Sequence, residues 1–363
     1  WLKDIAAATH WLSEQDGDAL LYHRDWYHFS VWLFALLNSK KRIVLPANDK
    51  PATLSELSLH YSFRVPSELP QHASSEAPPL TLNGSLNSQL TFFTSGSSGK
   101  PKAVRKTLRQ LWLEVITLEQ TFAEQLGPAN ILTTVTHQHI YGLLFTVLWP
   151  LAARRPVTLP LVDYPEQLQQ ILAKANCQRY ALISSPAHLQ RLDNLPQLAK
   201  YNHSLATVFS SGGPLPNSVP EDFAEHELNA PIEVYGSTET GGIGWRRRNP
   251  GSNENFQTLA GVDASCNHNG LLVIQSPYLN NPQKPYTTED KARLQGQGDF
   301  QLLGRQDRIV KIAEKRVALN EVEQSGNSAE RIRTRIAALQ RLIEFLEDDQ
   351  KMSDMDIILS DPN

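Results

Sequence analysis

The nine residues Thr94, Ser95, Gly96, Ser97, Ser98, Gly99, Lys100, Pro101 and Lys102 gather four hydroxyls, two glycines and two lysines into one short stretch. Such a composition suits a polyphosphate. Glycines let backbone N–H groups approach an anion, hydroxyls donate to its oxygens, and a lysine supplies a point charge for a departing phosphate. A flexible Ser/Gly linker has a similar composition. The flanks favour the phosphate reading: Leu90–Thr94 is β-branched and aromatic, as in a strand, and Thr107–Phe122 carries Leu111, Val115, Leu118 and Phe122 at helical spacing. Strand, glycine loop and helix together form a phosphate cradle. It is not a Walker A loop, which needs Gly at position 94 and Ser or Thr at 101, nor does it have the G-x-G-x-x-G spacing of a dinucleotide fingerprint.

Two further stretches could carry chemistry. In Val234–Gly242, Tyr235 could stack on a base, Thr238 could bond a phosphate, and Glu239 could hold magnesium. Each also has a plain structural role open to it, as core residue, turn hydroxyl and solvated charge. Gly304-Arg-Gln-Asp-Arg-Ile-Val-Lys311, followed by Lys315–Glu323, reads alone as a charged turn and strand. His137 and His139 would share one face of a strand, but no clear third ligand accompanies them, so a metal site there is not expected. Trp245-Arg-Arg-Arg248 reads as a solvated loop in preference to a nucleic-acid patch.

The elements that must position these residues are those of an α/β protein. Before about Phe63 the pattern gives helices, including Trp26–Asn38, around one strand at Arg42–Pro46; Pro66–Gln89 reads as a long surface connection. Strands are predicted at Ile131–Thr136, Pro156–Leu159, Arg179–Ile183, Thr207–Ser210 and Ile232–Tyr235, with helices at Tyr164–Ala175 and Pro186–Leu192. The alternation implies a largely parallel sheet flanked by helices. Gly270–Ile274 and Phe300–Leu303 look antiparallel, as in a small β-rich subdomain. Ser328–Asp349 is strongly helix-forming, with Ile332, Ile336, Leu339, Ile343 and Leu346 on one seam. The seam suits packing on its own domain, or a short coiled coil that would make a homo-oligomer.

The 363 residues carry 40% hydrophobic and 20% charged residues and a net charge of −4, which gives no reason to expect nucleic acid or an anionic membrane as the main partner. Cys177 and Cys266 are too few for a disulfide framework or a Cys-rich zinc site, and suit a reducing cytoplasm. No apolar stretch is long enough to span a bilayer, and no signal peptide is visible. With Trp1 in place of Met, the chain is expected to lack its native start.

Taken in order, the three stretches resemble the core motifs of the adenylate-forming superfamily, which includes acyl-CoA synthetases and adenylation domains. The resemblance spans about Leu90 to Glu323. Two more segments fit it: Thr136-His-Gln-His-Ile-Tyr-Gly142, with His139 bordering an acyl pocket, and Ser210-Ser-Gly-Gly-Pro214, with Gly212 and Gly213 along the adenine. The resemblance implies an adenylation domain at 1–304, a hinge and the start of a C-terminal subdomain at 305–323, and an atypical helical segment at 324–363. It assigns Ser95 to Lys102 to the ATP phosphates, with Lys102 nearest the leaving pyrophosphate. Tyr235, preceding Gly236, would stack on adenine, Thr238 would contact the α-phosphate, and Glu239 would bind Mg²⁺. Asp290, in Tyr286-Thr-Thr-Glu-Asp290, would bond the ribose with Arg305 close by, and Asp307 would be the hinge.

The implied enzyme is an acid–thiol ligase that uses ATP and Mg²⁺ to activate an aryl or fatty acid. It then passes the acyl group to coenzyme A or a phosphopantetheinyl carrier protein. A looser likeness points to the short ligases of aryl-polyene pathways. The alternative is a nucleotide-binding scaffold without turnover. Three departures stand out. The region before the phosphate loop is short for the family, and Glu314 stands where the family has Gly. After Glu323 no Pro-x-x-x-x-Gly-Lys carries the family's late catalytic lysine, and Lys351, in Asp-Asp-Gln-Lys-Met, does not match it. A truncation, a fusion or a replaced lid would each account for this, with impaired turnover as the expectation.

Overall fold

The computed structural model describes residues 1–71, 85–95, 101–176, 178–192, 195–249, 251–252, 254–296, 298–306, 309–312 and 315–318. Two compact units divide the chain. One comprises Trp1–Thr94 with Pro101–Gly304, the other Ser95–Lys100 with Arg305–Asn363.

The first unit begins with α1 (Leu2–Leu12), β1 (Ala19–Leu20), α2 (Trp26–Asn38), β2 (Ile43–Leu45), α3 (Pro51–Glu56) and β3 (Phe63–Arg64). Helix α2 matches the sequence expectation and is apolar nearly all round, so it is buried from Phe29 to Leu37. Its N-cap, Asp25, accepts the His28 N–H at 2.8 Å. β1 and β3 are two-residue strands, too short to leave a periodic signal. They join β2, β4 (Gln89–Ser95) and β5 (Pro101–Thr107) in a sheet of order β3-β1-β2-β4-β5, with β1 parallel to β2 and β3, and β2 parallel to β4.

β5 corrects the expected strand–loop–helix. The residues after the Ser/Gly stretch continue as a strand beside β4, and only then does α4 (Leu108–Leu126) begin. The reason lies in the alternation at 102–106: Lys102 and Arg105 are exposed, while Val104 and Lys106 are buried. α4 is started by a reciprocal Thr107–Gln110 capping box.

The central sheet comprises β6 (Asn130–Thr133), β7 (Tyr180–Ser184), β8 (Leu205–Ser210), β9 (Ile232–Ser237), β10 (Gly241–Arg247) and β11 (Gln257–Thr258), in spatial order β11-β10-β9-β8-β7-β6. β6 to β9 run parallel, and β10 and β11 are antiparallel additions. Both faces are buried, as a parallel sheet requires. Ala181, Ile183 and Phe209 face a core shared with α4 and the helical run 140–152, where Phe122 meets Phe209 at 5.1 Å and Trp245 at 5.4 Å. Leu182 and Val208 face the opposite way, against helices at Pro165–Ala173 and Ser218–Glu225. Pro156–Leu159 does not form a strand; it contributes one bridge, Val157 to Ile131.

The Arg triplet is neither a nucleic-acid patch nor a solvated loop. Arg246 and Arg247 lie in β10, and Arg246 and Arg248 both bond the buried Glu233 carboxylate, at 2.9 and 2.5 Å. Arg247 reaches Thr207 at 3.0 Å. The antiparallel subdomain is β12 (Asp263–Cys266), β13 (Leu271–Gln275), β14 (Tyr286–Gln295) and β15 (Asp299–Arg305), in that order. In the second unit, β16 (Ile309–Ile312) and β17 (Lys315–Ala318) pair antiparallel, Ile309 opposite Ala318. Among the described residues, no helix is long and apolar enough to cross a membrane.

Candidate functional site

The parallel strands β6 to β9 release their loops at one edge, and in open α/β sheets that carboxyl edge is where ligands bind. Three of the sequence-predicted segments meet there. After β8, Gly212 adopts φ +97°, a conformation that favours glycine, and Ser211 Oγ donates to the Val234 carbonyl at 2.8 Å. Gly213 lies beside Pro186. After β6, residues 134–139 form turns, so His137 and His139 do not share a strand face. His137 is buried: its Nε2 donates to the His23 carbonyl at 2.7 Å and its ring packs on Phe29. Burial pushes its pKa down to about 4. His139 is exposed at the start of the next helical run. A Cβ on Gly142 would lie 1.9 Å from the Thr136 carbonyl oxygen, which explains a glycine three residues after His139.

The β9–β10 hairpin carries Tyr235, Gly236, Thr238 and Glu239. Its turn is internally bonded: the buried Thr240 Oγ1 accepts the Ser237 N–H at 3.1 Å and donates to the Gly241 carbonyl at 2.9 Å. Gly236 packs against the Gly241 carbonyl, where a Cβ would come within 2.3 Å. The turn therefore presents Thr238 and Glu239, both partly exposed, at a fixed tip.

β5 meets that tip. Lys102 Nζ lies 2.8 Å from Glu239 Oε1, with the lysine side chain 54% exposed and the glutamate 12%. Four residues further along β5, Lys106 is 2% exposed and donates to the carbonyls of Glu239 and Tyr278, each at 2.8 Å. Burial lowers its pKa to about 8, against the opposing pull of Glu114 and Glu239. Glu114 on α4 is buried too; burial raises its pKa, while its Oε1 accepts the Gly242 N–H at 2.6 Å. Gln110 also donates to the Tyr278 carbonyl, and Tyr278 OH donates to Thr117 Oγ1 at 2.6 Å.

Lys106, Glu114, Gln110 and Tyr278 belong to none of the motifs visible in the sequence. A signal existed. Gln110, Glu114 and Thr117 interrupt the apolar stripe of α4 at buried positions, and buried charge demands partners.

On β9, four residues before Glu239, Tyr235 OH donates to Asp290 Oδ2 at 2.7 Å, bringing together two residues expected to serve one ligand. Tyr235 packs against Phe256 and Phe300, with centroids 5.5 and 5.7 Å away, and Arg246 covers Phe256 at 4.3 Å. Asp290 lies in β14, its N–H bonded to Thr288 Oγ1.

Thr94 stands near the end of β4 and its buried Oγ1 has no hydrogen-bond partner among the described residues; Ser210 Oγ, at the end of β8, is in the same condition. Ser95 ends β4 and Arg305 ends β15, both in the second unit. Gly96, Ser97, Ser98, Gly99, Lys100, Asp307, Glu314 and the tail helix at 328–349 lie outside the described residues.

The site fits a nucleotide with its metal. A cation, the Lys102 ammonium, already rests on Glu239, and Mg²⁺ is commonly held by one or two carboxylates plus substrate phosphates. Orphaned hydroxyls at Thr94 and Ser210 add donors. Among the described residues, the one group of three metal-ligand-type side chains is His23, Asp25 and His28, away from Glu239. Its groups are already engaged: His23 bonds the Ser67 carbonyl and the Asp25 N–H, and His28 Nδ1 bonds Asp25, with the two rings stacked at 4.7 Å.

A parallel sheet with its loops gathered at one edge and a lysine facing a glutamate there define an α/β fold with a charged pair at the edge where such sheets bind ligands. The chain belongs to the AMP-binding enzyme family, whose model matches residues 35–268. It is 28% identical over 234 residues to a 4-coumarate–CoA ligase of Cereibacter sphaeroides, covering 62% of this chain and 50% of that one. The chain thus spans about half the length of the curated relatives it matches. In fold it is similar to the amide bond synthetase McbA from Marinactinospora thermotolerans, with TM-score 0.70, 17% identity and coverage of 89% and 77%. A malonyl-CoA ligase in ternary product complex with methylmalonyl-CoA and AMP gives TM-score 0.68, 19% identity and coverage of 88% and 79%.

Proposed function

We propose that the protein activates a small carboxylic acid, aryl or fatty, as an acyl-adenylate and passes the acyl group to the thiol of coenzyme A or a carrier protein. The observation that carries this reading is the 2.8 Å contact between Lys102 and Glu239, which joins the end of the phosphate-type loop to the tip of the Tyr-Gly-Ser-Thr-Glu turn. The substrate carboxylate attacks the α-phosphorus of ATP, an acyl–phosphate bond forms, and pyrophosphate leaves with its electron pair. Negative charge gathers on phosphoryl oxygens, so the site must align the reactants and supply positive charge.

Lys102 neutralises the leaving pyrophosphate, and Thr238 bonds the α-phosphate. Thr94 to Lys100 are assigned to the phosphates. Glu239 would hold Mg²⁺, which supplies charge neutralisation at the phosphates. Tyr235, Gly236, Gly212 and Gly213 border the base, Asp290 and Arg305 take the ribose, and His139 borders the acyl group. Residues 1–304 form the adenylation domain, with Asp307 as its hinge to a C-terminal subdomain. Relatives named as CoA ligases support a CoA-type acceptor.

Pyrophosphate exchange tests the reading. Incubation with ATP, Mg²⁺, labelled pyrophosphate and a panel of aryl and fatty acids should give acid-dependent label in ATP. ATP binding without exchange for any acid would instead favour a nucleotide-binding scaffold.

A further inference from the structure

We propose that Lys106 is a positioning residue for the metal-binding carboxylate of Glu239, with Glu114 as its buried counter-charge. This rests on the adenylating function proposed above. β5 presents two lysines to one glutamate. Lys102 meets the Glu239 side chain from the exposed end of the strand face, and Lys106 holds the Glu239 main-chain carbonyl from the buried end, each at 2.8 Å. A side chain's reach is set by its backbone, so fixing the carbonyl fixes where the carboxylate can go. Glu114 secures the return leg of the same hairpin through Gly242 N–H at 2.6 Å, and a Cβ on Gly241 would strike Glu114 Oε2 at 2.8 Å. The turn is thus clamped on both sides from beneath by one cation and one anion.

Packing alone does not call for this arrangement. An ammonium with 2% exposure is costly to bury, and an apolar side chain would fill the space without that cost. What an apolar residue cannot do is hold two carbonyls, those of Glu239 and Tyr278, at hydrogen-bond distance from one atom. Lys106 therefore ties the turn to the β13–β14 connection, whose Tyr278 carbonyl is also held by Gln110 of α4.

The test compares wild type, Lys106→Met and the double variant Lys106→Met/Glu114→Gln, in which no buried charge is stranded. Gln110→Met serves as a control, because it loosens the same Tyr278 contact, and the cap of α4, without touching Glu239. Two readouts are needed: the Mg²⁺ concentration for half-maximal pyrophosphate exchange at saturating ATP, and Mn²⁺ binding followed by electron paramagnetic resonance with a non-hydrolysable ATP analogue. Loss of a residue supporting a metal ligand typically weakens metal affinity about 10- to 100-fold. Both Lys106 variants should show that loss in both readouts, and the double variant should do so even where its thermal midpoint returns towards wild type. Gln110→Met should leave metal dependence unchanged. Wild-type metal dependence in the folded double variant would overturn the proposal. So would a Gln110→Met variant that shifts metal dependence equally, because the effect would then follow loosening alone. Wild-type protein that binds Mn²⁺ with the nucleotide but never exchanges pyrophosphate would sink the adenylating function, and the binding readout would still decide the role of Lys106.

Discussion

The Tyr235 hydroxyl donates to Asp290 across 2.7 Å, so the residue at the end of a parallel strand is locked to one in an antiparallel strand 55 positions later. A hydrogen bond to a charged group contributes about 1.5–3 kcal/mol, and its loss at the low end corresponds to roughly tenfold in affinity. Tyr235→Phe keeps the ring and removes the bond. The expected outcome is an ATP KM raised about tenfold with kcat for exchange little changed, because the pair is assigned to the base and ribose and not to the reacting phosphates. An unchanged KM would separate the pair from the nucleotide.

Lys102 is more than half exposed, so its pairing with Glu239 adds little to stability. Its contribution is expected in the transition state instead. Lys102→Ala should lower the exchange rate by about 10²–10³-fold, the magnitude typical of losing one such stabilising group. Its unfolding midpoint should stay close to wild type.

His137 gives stability a pH dependence of known sign. The imidazole titrates near 6.5 when unfolded and at about 4 in the fold, because burial disfavours its charged form. Between those values the unfolded chain binds the proton more readily. Stability contributed by the neutral ring is therefore complete above pH 6.5 and falls by up to about 3 kcal/mol as pH drops to 4. His137→Gln, which does not titrate, should flatten that part of a denaturation series run from pH 7 to 4. An equal slope in both proteins would assign the acid sensitivity elsewhere.

Gly142 is held against the Thr136 carbonyl with no room for a methyl group. Gly142→Ala should destabilise the protein by about 1–3 kcal/mol, the range seen for overpacked sites. Because the turn carrying His139 must shift, the KM for the acid should rise more than that for ATP. A variant with wild-type stability would contradict the packing described.

Much of this site was legible because strand and turn chemistry are local. The strand-type runs at Thr207–Ser210 and Ile232–Tyr235 are legible from their residues, and the glycines after them mark the loops that the sheet collects at one edge. β5 was harder to read, since Lys102, Arg105 and Lys106 make a strand look like part of a polar loop. Only the structure shows that Lys106 points into the protein, where two carbonyls from distant segments meet it. The Arg triplet misled for the same reason: Glu233, which pairs with two of its members, is brought alongside by the β9–β10 register. A charged residue's partners are set by tertiary register, which no local pattern encodes.

Acid-dependent pyrophosphate exchange is the most direct measurement of the central claim that this site adenylates a carboxylate. Label should enter ATP only when a suitable aryl or fatty acid and Mg²⁺ are present, and should fall about 10²–10³-fold in Lys102→Ala. Exchange that continues undiminished in that variant, or no exchange with any acid despite measurable ATP binding, would contradict it.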